Sequence, residues 1–185
     1  MPQGWTGRRE AELSGQRALN RAPLPLLARG LPWLVIVLGS VLQTLPVIAS
    51  APVMPPFGFL FLLAWRQLHP GLLPVWAGLP LGLVDDLYSG QPFGSAMLLW
   101  SAAMIGMEVI ESRFPWRSYV MDWLVAAGVI AGYLVLASGL AHATSDRAVT
   151  VLAPQLVVSV LVFPLAERFI SACDRARLWR FRMGG

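Results

Sequence analysis

Apolar residues gather into six runs along the chain, and half of the charged residues lie before the first run or after the last. The first run, Leu31–Ser50, matches the ~20 residues that cross a bilayer as one helix. The second, Pro55–Leu68, is short for a bilayer of ~30 Å, because ~14 residues at 1.5 Å rise reach only ~21 Å. Four more runs follow, at Leu72–Leu87, Phe93–Ile110, Tyr119–Leu140 and Val149–Ile170. The pattern predicts an all-α integral membrane protein with six transmembrane helices over residues 31–170. Residues 1–30 form an Arg-rich arm in which Ala11, Leu13, Ala18 and Leu19 make no clean helical stripe. This arm reads as disordered or lying on the membrane surface. Residues 171–185 form a tail whose Leu178-Trp179-Arg180-Phe181-Arg182 alternates apolar and basic positions, as suits a headgroup boundary.

Polar and small residues inside the runs predict how the helices meet. Gln43 in lipid would be costly, so it should face other helices. Pro55 and Pro56 suit a first helical turn, and Trp65 with Arg66 reads as an interfacial anchor with a snorkelling guanidinium. His69-Pro70-Gly71 makes the next turn. Pro80 cannot bond to the carbonyl of Trp76, so a kink is expected in the third run. Gly78 with Gly82, and Ala102 with Gly106, offer small faces for close helix approach. Gly128 and Gly132 form a GxxxG pair. Packing within the bundle is its favoured reading and self-association the alternative. Pro164 should loosen the last run above Glu167 and Arg168. The two halves share a helix count without sequence similarity, so an inverted repeat is not supported.

Charge orients the spans. All fourteen basic residues are Arg, and thirteen fall before the first run, in even gaps, or at and after the end of the last. Only Arg147 falls in an odd gap. Cytoplasmic loops hold the basic excess, so both termini should be cytoplasmic. The chain has 185 residues, 56% hydrophobic and 13% charged, which leaves too little charged surface for a soluble domain. A basic flank gains about 1 kcal/mol per Arg from acidic lipid, so anionic headgroups rather than nucleic acid are the expected partners of these arginines. Ala49-Ser50-Ala51 has the small residues of a cleavage site. The preceding run exceeds the roughly 7–15 residues of a signal sequence, and an uncleaved first span is the favoured reading.

The sharpest local pattern is Gly82-Leu83-Val84-Asp85-Asp86-Leu87-Tyr88-Ser89-Gly90-Gln91-Pro92-Phe93-Gly94. Successive residues on a helix point about 100° apart, so Asp85 and Asp86 cannot share a direction. Either one carboxylate faces the bundle, or both are wet interfacial charges. Catalysis by opposed aspartates is disfavoured, because Glu108, Glu111, Asp122 and Glu167 belong to the other side. Those acids, with Arg113 and Arg117, read as local ion pairs at a wet boundary. His69 and His142 fall on opposite sides and Cys173 stands alone, so no metal site, disulfide or thiol chemistry is expected. No phosphate loop, dinucleotide fingerprint or serine triad is present, and no cofactor is called for.

Three stretches resemble the rod shape-determining protein MreD family. They are Leu42-Gln43-Thr44-Leu45-Pro46; Pro56-Phe57 through Trp65 with the following Pro70; and Gly82-x-x-x-Asp86-Leu87-x-Ser89-Gly90-x-x-x-Gly94. Pro164 also matches a family position, and the resemblance covers roughly residues 35–170. On it, Asp86 is the family aspartate and Asp85 an extra one. Phe57 stands where the family commonly has a polar or acidic residue, and the arm is longer than expected. The resemblance implies a non-enzymatic, multi-pass protein of the bacterial inner membrane. It would bind MreC and link MreB filaments to the peptidoglycan synthases RodA and a class B penicillin-binding protein. It also implies the fold of the S subunits of energy-coupling-factor transporters. A small-molecule-binding subunit on that fold is the alternative; it needs a polar outer pocket and a small-residue face on the first span, where Ser40 and Thr44 stand. Gln43, Pro70, Gly82, Asp86, Gly90, Gly94 and Pro164 are the candidate structural or partner-binding residues.

Overall fold

A computed structural model describes residues 25–44, 54–113, 118–140 and 146–182, with side chains in 30–44, 54–113, 118–140 and 152–175. Leu45, Pro46, the arm up to residue 24, Pro115-Trp116, Arg117 and His142 lie outside the described residues.

Six α-helices form the described structure: α1 (Pro25–Leu42), α2 (Phe57–Leu68), α3 (Gly78–Ser89), α4 (Ser95–Arg113), α5 (Tyr119–Leu140) and α6 (Asp146–Arg182). Side-chain hydrogen bonds and the polar clusters below bring together the C-terminal ends of α1 and α3 with the N-terminal end of α4. The N-terminal part of α6 joins the start of α2, where Gln155 Nε2 donates to the Met54 carbonyl at 2.9 Å. At the other end, Gln67 of α2 donates to the carbonyl of Asp122 in α5 at 3.0 Å, and His69 lies 3.1 Å from Asp174 of α6. Successive helices therefore alternate in direction.

Packing follows an arc of five helices around α2, open between α1 and α6. α1 packs on α3, α3 on α4, α4 on α5, α5 on α6, and α2 touches α1, α5 and α6. Gly58, Phe59, Leu60, Leu62, Leu63, Ala64, Trp65 and Arg66 of α2 are all buried. Phe59 stacks on Tyr133 at 4.2 Å and meets Trp100 at 5.8 Å, joining α2 to α5 and α4. This enclosure explains why the second run is short: a ~18 Å helix surrounded by others need not span a bilayer's apolar thickness on its own. The peripheral helices turn large apolar side chains outward, including Leu38, Leu87, Ile105, Leu136 and Leu161, each more than half exposed. Such a surface suits a lipid environment and not water. Tyr119–Leu140 and Leu152–Arg175 are long and apolar enough to cross a membrane.

Several expectations need correction. The first helix starts at Pro25 and ends at Leu42, where Gln43 N and Thr44 N bond to the Ser40 and Val41 carbonyls in a tightened turn. Pro80 does not kink a long third helix. The chain runs from Pro74 through a 3-10 turn, Val75–Ala77, and α3 begins at Gly78. Pro80 thus occupies the first turn, where its missing N–H has no helical partner to lose. α6 runs 37 residues, about 55 Å, beyond both predicted ends, with Pro154 and Pro164 inside it.

Gly78 and Gly82 face α4 as their spacing suggests; a Cβ on Gly78 would come within 2.9 Å of the Ser101 backbone. Gly106, Gly128 and Gly132 meet nothing within 4 Å, and Gly128 and Gly132 are exposed. The favoured reading of Gly128/Gly132 as bundle packing is therefore wrong: this face of α5 points away from the described helices. A close crossing instead occurs at Gly39 and Gly58, where α1 meets α2 and a Cβ on Gly39 would lie 3.1 Å from the Gly58 Cα.

Candidate functional sites at the two ends of the bundle

At one end, the Asp86 carboxylate organises the turn from α3 into α4. Gly90 terminates α3 at φ 67 and Gly94 precedes α4 at φ 91, both angles that side chains resist. This path returns α4 over α3, so that Asp86 reaches the first N–H groups of α4, which have no helical partner. Gly94 N, Ala96 N and Met97 N donate to it at 2.9, 2.8 and 3.2 Å, and Ser95 Oγ lies at 3.4 Å. Ser95 N bonds instead to the Pro92 carbonyl at 3.0 Å. A negative charge at a helix N-terminus also meets the positive end of its dipole. Asp86 acts as a cap borrowed from the preceding helix.

Asp85 points elsewhere, as the 100° rule requires, yet it too is buried, at 1% exposure against 6% for Asp86. The reading of both carboxylates as wet charges is therefore wrong. Gln43 Nε2 donates to Asp85 Oδ1 at 3.4 Å, which ties the turn after α1 to α3. Gln43 thus faces another helix, as an amide in an apolar medium must.

These contacts rank the two acids. Asp86→Ala should destabilise the protein by about 1–2 kcal/mol, the range for losing a helix cap. Asp86→Asn should recover only part of the stability, because an amide keeps one acceptor oxygen and turns an NH2 toward the donors that the second carboxylate oxygen serves. Asp85→Ala should cost less, since it loses side-chain contacts with Gln43 and Ser40 but no helix cap. Thermal melting of the detergent-purified variants, with rod-shape complementation alongside, checks the order. Equal damage from Asp85→Ala and Asp86→Ala would remove Asp86 from this role.

At the opposite end, Arg66 gathers a network that the sequence reading missed. Its side chain is 2% exposed, so it does not snorkel, and Trp65 beside it is fully buried rather than an interfacial anchor. Both follow from the central position of α2. Arg66 Nη2 bonds to Glu111 Oε2 at 2.8 Å and Nε to Glu111 Oε1 at 3.3 Å, a bidentate pair. Nη2 also pairs with Glu108, and Nη1 donates to the Leu73 carbonyl at 3.1 Å. Glu108 and Glu111 thus pair across helices with α2, not only locally at a wet boundary. The signal was present: two acids three residues apart share a helix face. What was missing was the proximity of α2 to α4.

Pro70 lies exposed in the turn after α2, and Pro164 borders a polar pocket formed with Gln67, Asp122 and Glu167. Gln43, Gly82, Asp86, Gly90 and Gly94 belong to one end of the bundle; Pro70 and Pro164 stand at the other.

An outward apolar surface, alternating helices and polar groups gathered at the two ends define a helical membrane protein. The family described as rod shape-determining protein MreD matches residues 27–169, and the chain belongs to this family. Its role therefore lies in rod shape determination. No curated protein and no solved structure matches the chain.

Proposed function

We propose that this chain is a multi-pass scaffold of the bacterial inner membrane, without catalytic activity of its own. It crosses six times with both termini in the cytoplasm, binds MreC, and links MreB to RodA and a class B penicillin-binding protein. Family membership carries this reading. The use made of its polar groups supports it: Asp86 and Arg66 are spent on holding helices together, as a rigid platform requires. The alternation of helix direction fits six crossings, and the arginine pattern fits the orientation. The exposed face of Gly128 and Gly132 is open to self-association.

The alternative, a transporter S-type subunit, loses support on span 1. Ser40 is 1% exposed and abuts Gly58, so it offers no small face to an energising partner. A groove of about 590 Å³ between α1, α2 and α6 is lined by Leu38, Phe57, Phe61, Leu165, Phe169 and other apolar groups, unlike a polar ligand site.

Co-purification from native membranes tests the proposal: recovery with MreC supports it, and recovery with an ATPase module instead overturns it. Topology gives a separate check. A reporter fused after Gly185 should behave as cytoplasmic, and a Cys introduced at Thr144 should label from outside. Reversal of either result removes the six-crossing arrangement.

A further inference from the structure

The pocket formed by α2, α5 and α6 at the Arg66 end has a volume of about 390 Å³. Gln67, Tyr119, Asp122, Glu167, Arg168 and Ser171 are among its lining residues. Glu167 is 9% exposed, and no described residue donates a hydrogen bond to its carboxylate. Gln67 Oε1 is buried and has no partner among the described residues, because the amide's Nε2 is turned to the Asp122 carbonyl. The Ser171 hydroxyl donates to the Glu167 carbonyl at 2.8 Å, which leaves its oxygen as an acceptor. Gln67 and Ser171 therefore present acceptors beside Glu167 and have turned their donors elsewhere. A carboxylate that lines this pocket without a protein donor attracts a cation rich in N–H donors. At the rim, Arg168 is exposed and makes no ion pair among the described residues. A guanidinium in that position suits a phosphate.

We propose that this pocket binds the headgroup of a primary-amine phospholipid of the phosphatidylethanolamine class. The ammonium enters toward Glu167 and Gln67 Oε1, and the phosphodiester meets Arg168. The headgroup carries both charges in that order, two carbons apart. A basic peptide would satisfy the acids but would leave its charge against Arg168, so the lipid is the better fit. The proposal goes beyond the scaffold reading, and takes from it only the placing of this end at the membrane surface.

Native mass spectrometry of the full chain, titrated with lipid in detergent, tests it. Phosphatidylethanolamine should bind about tenfold more tightly than phosphatidylcholine, whose quaternary ammonium has no N–H to donate. Glu167→Gln should erase most of that preference, and Arg168→Gln should weaken both lipids alike. Equal binding of the two lipids by the wild-type chain, which needs no variant to fold, overturns the proposal. So does a preference that survives Glu167→Gln. Displacement of the amine lipid by an arginine-rich peptide that binds more tightly would assign the pocket to a polypeptide instead.

Discussion

Arg66→Met should lower stability by about 3–5 kcal/mol, the range for breaking a buried ion pair from one side. Met keeps much of the side-chain length and removes the charge. The loss then falls on what remains: Glu111, with a side chain 15% exposed, keeps its charge without the guanidinium. Glu108 is 56% exposed and can turn to water, so its share is small, about 0–1 kcal/mol. Glu111→Gln should therefore cost more than Glu108→Gln. The triple variant Arg66→Met, Glu111→Gln, Glu108→Gln should recover much of the loss, because the charges that lost the guanidinium are removed with it. Thermal melting in detergent measures all four. A triple variant no better than Arg66→Met would mean that the network contributes packing, not charge compensation.

Gly82→Ala should be the most damaging single-carbon change among the glycines of α3 to α6. The added Cβ would stand 2.6 Å from the Met97 Cα and 2.7 Å from the Ala96 carbonyl oxygen. Both neighbours are backbone, so α3 and α4 must separate instead of a side chain rotating away. Overpacking of this kind costs about 1–3 kcal/mol. The separation would also draw Asp86 from the N-terminus of α4, adding part of the cap energy. Gly106→Ala provides the contrast, since its Cβ would meet nothing within 4 Å. There the helix gains Ala over Gly, worth up to about 1 kcal/mol. Opposite shifts in melting temperature are expected. A Gly82→Ala protein as stable as wild type would show that the α3–α4 approach is looser than described.

The Asp86 turn was largely legible in the chain because its requirements are local. A carboxylate near a helix end, followed by two glycines, is a short-range pattern, and φ values of 67 and 91 are what those glycines supply. Its donors were not legible, since Ala96 and Met97 come within reach only after the chain reverses. Arg66 was misread for the opposite reason. An arginine ending a short apolar helix looks the same in sequence whether it reaches water or a buried acid. Gly39 and Gly58 carry no spacing motif, because their contact joins two helices rather than marking one face of either.

Helical class, the number of apolar runs and the arginine asymmetry were determined by the sequence alone. Each depends on composition over a window, and a window needs no neighbour. Tertiary structure decided which run is enclosed, and from that everything distinctive follows. Because α2 sits inside the arc of the other helices, Arg66 is buried and must find Glu111, Trp65 leaves the interface for the core, and Ser40 is spent against Gly58. Burial belongs to the assembled bundle: the same residues on an outer helix would face lipid or water, with no carboxylate to meet.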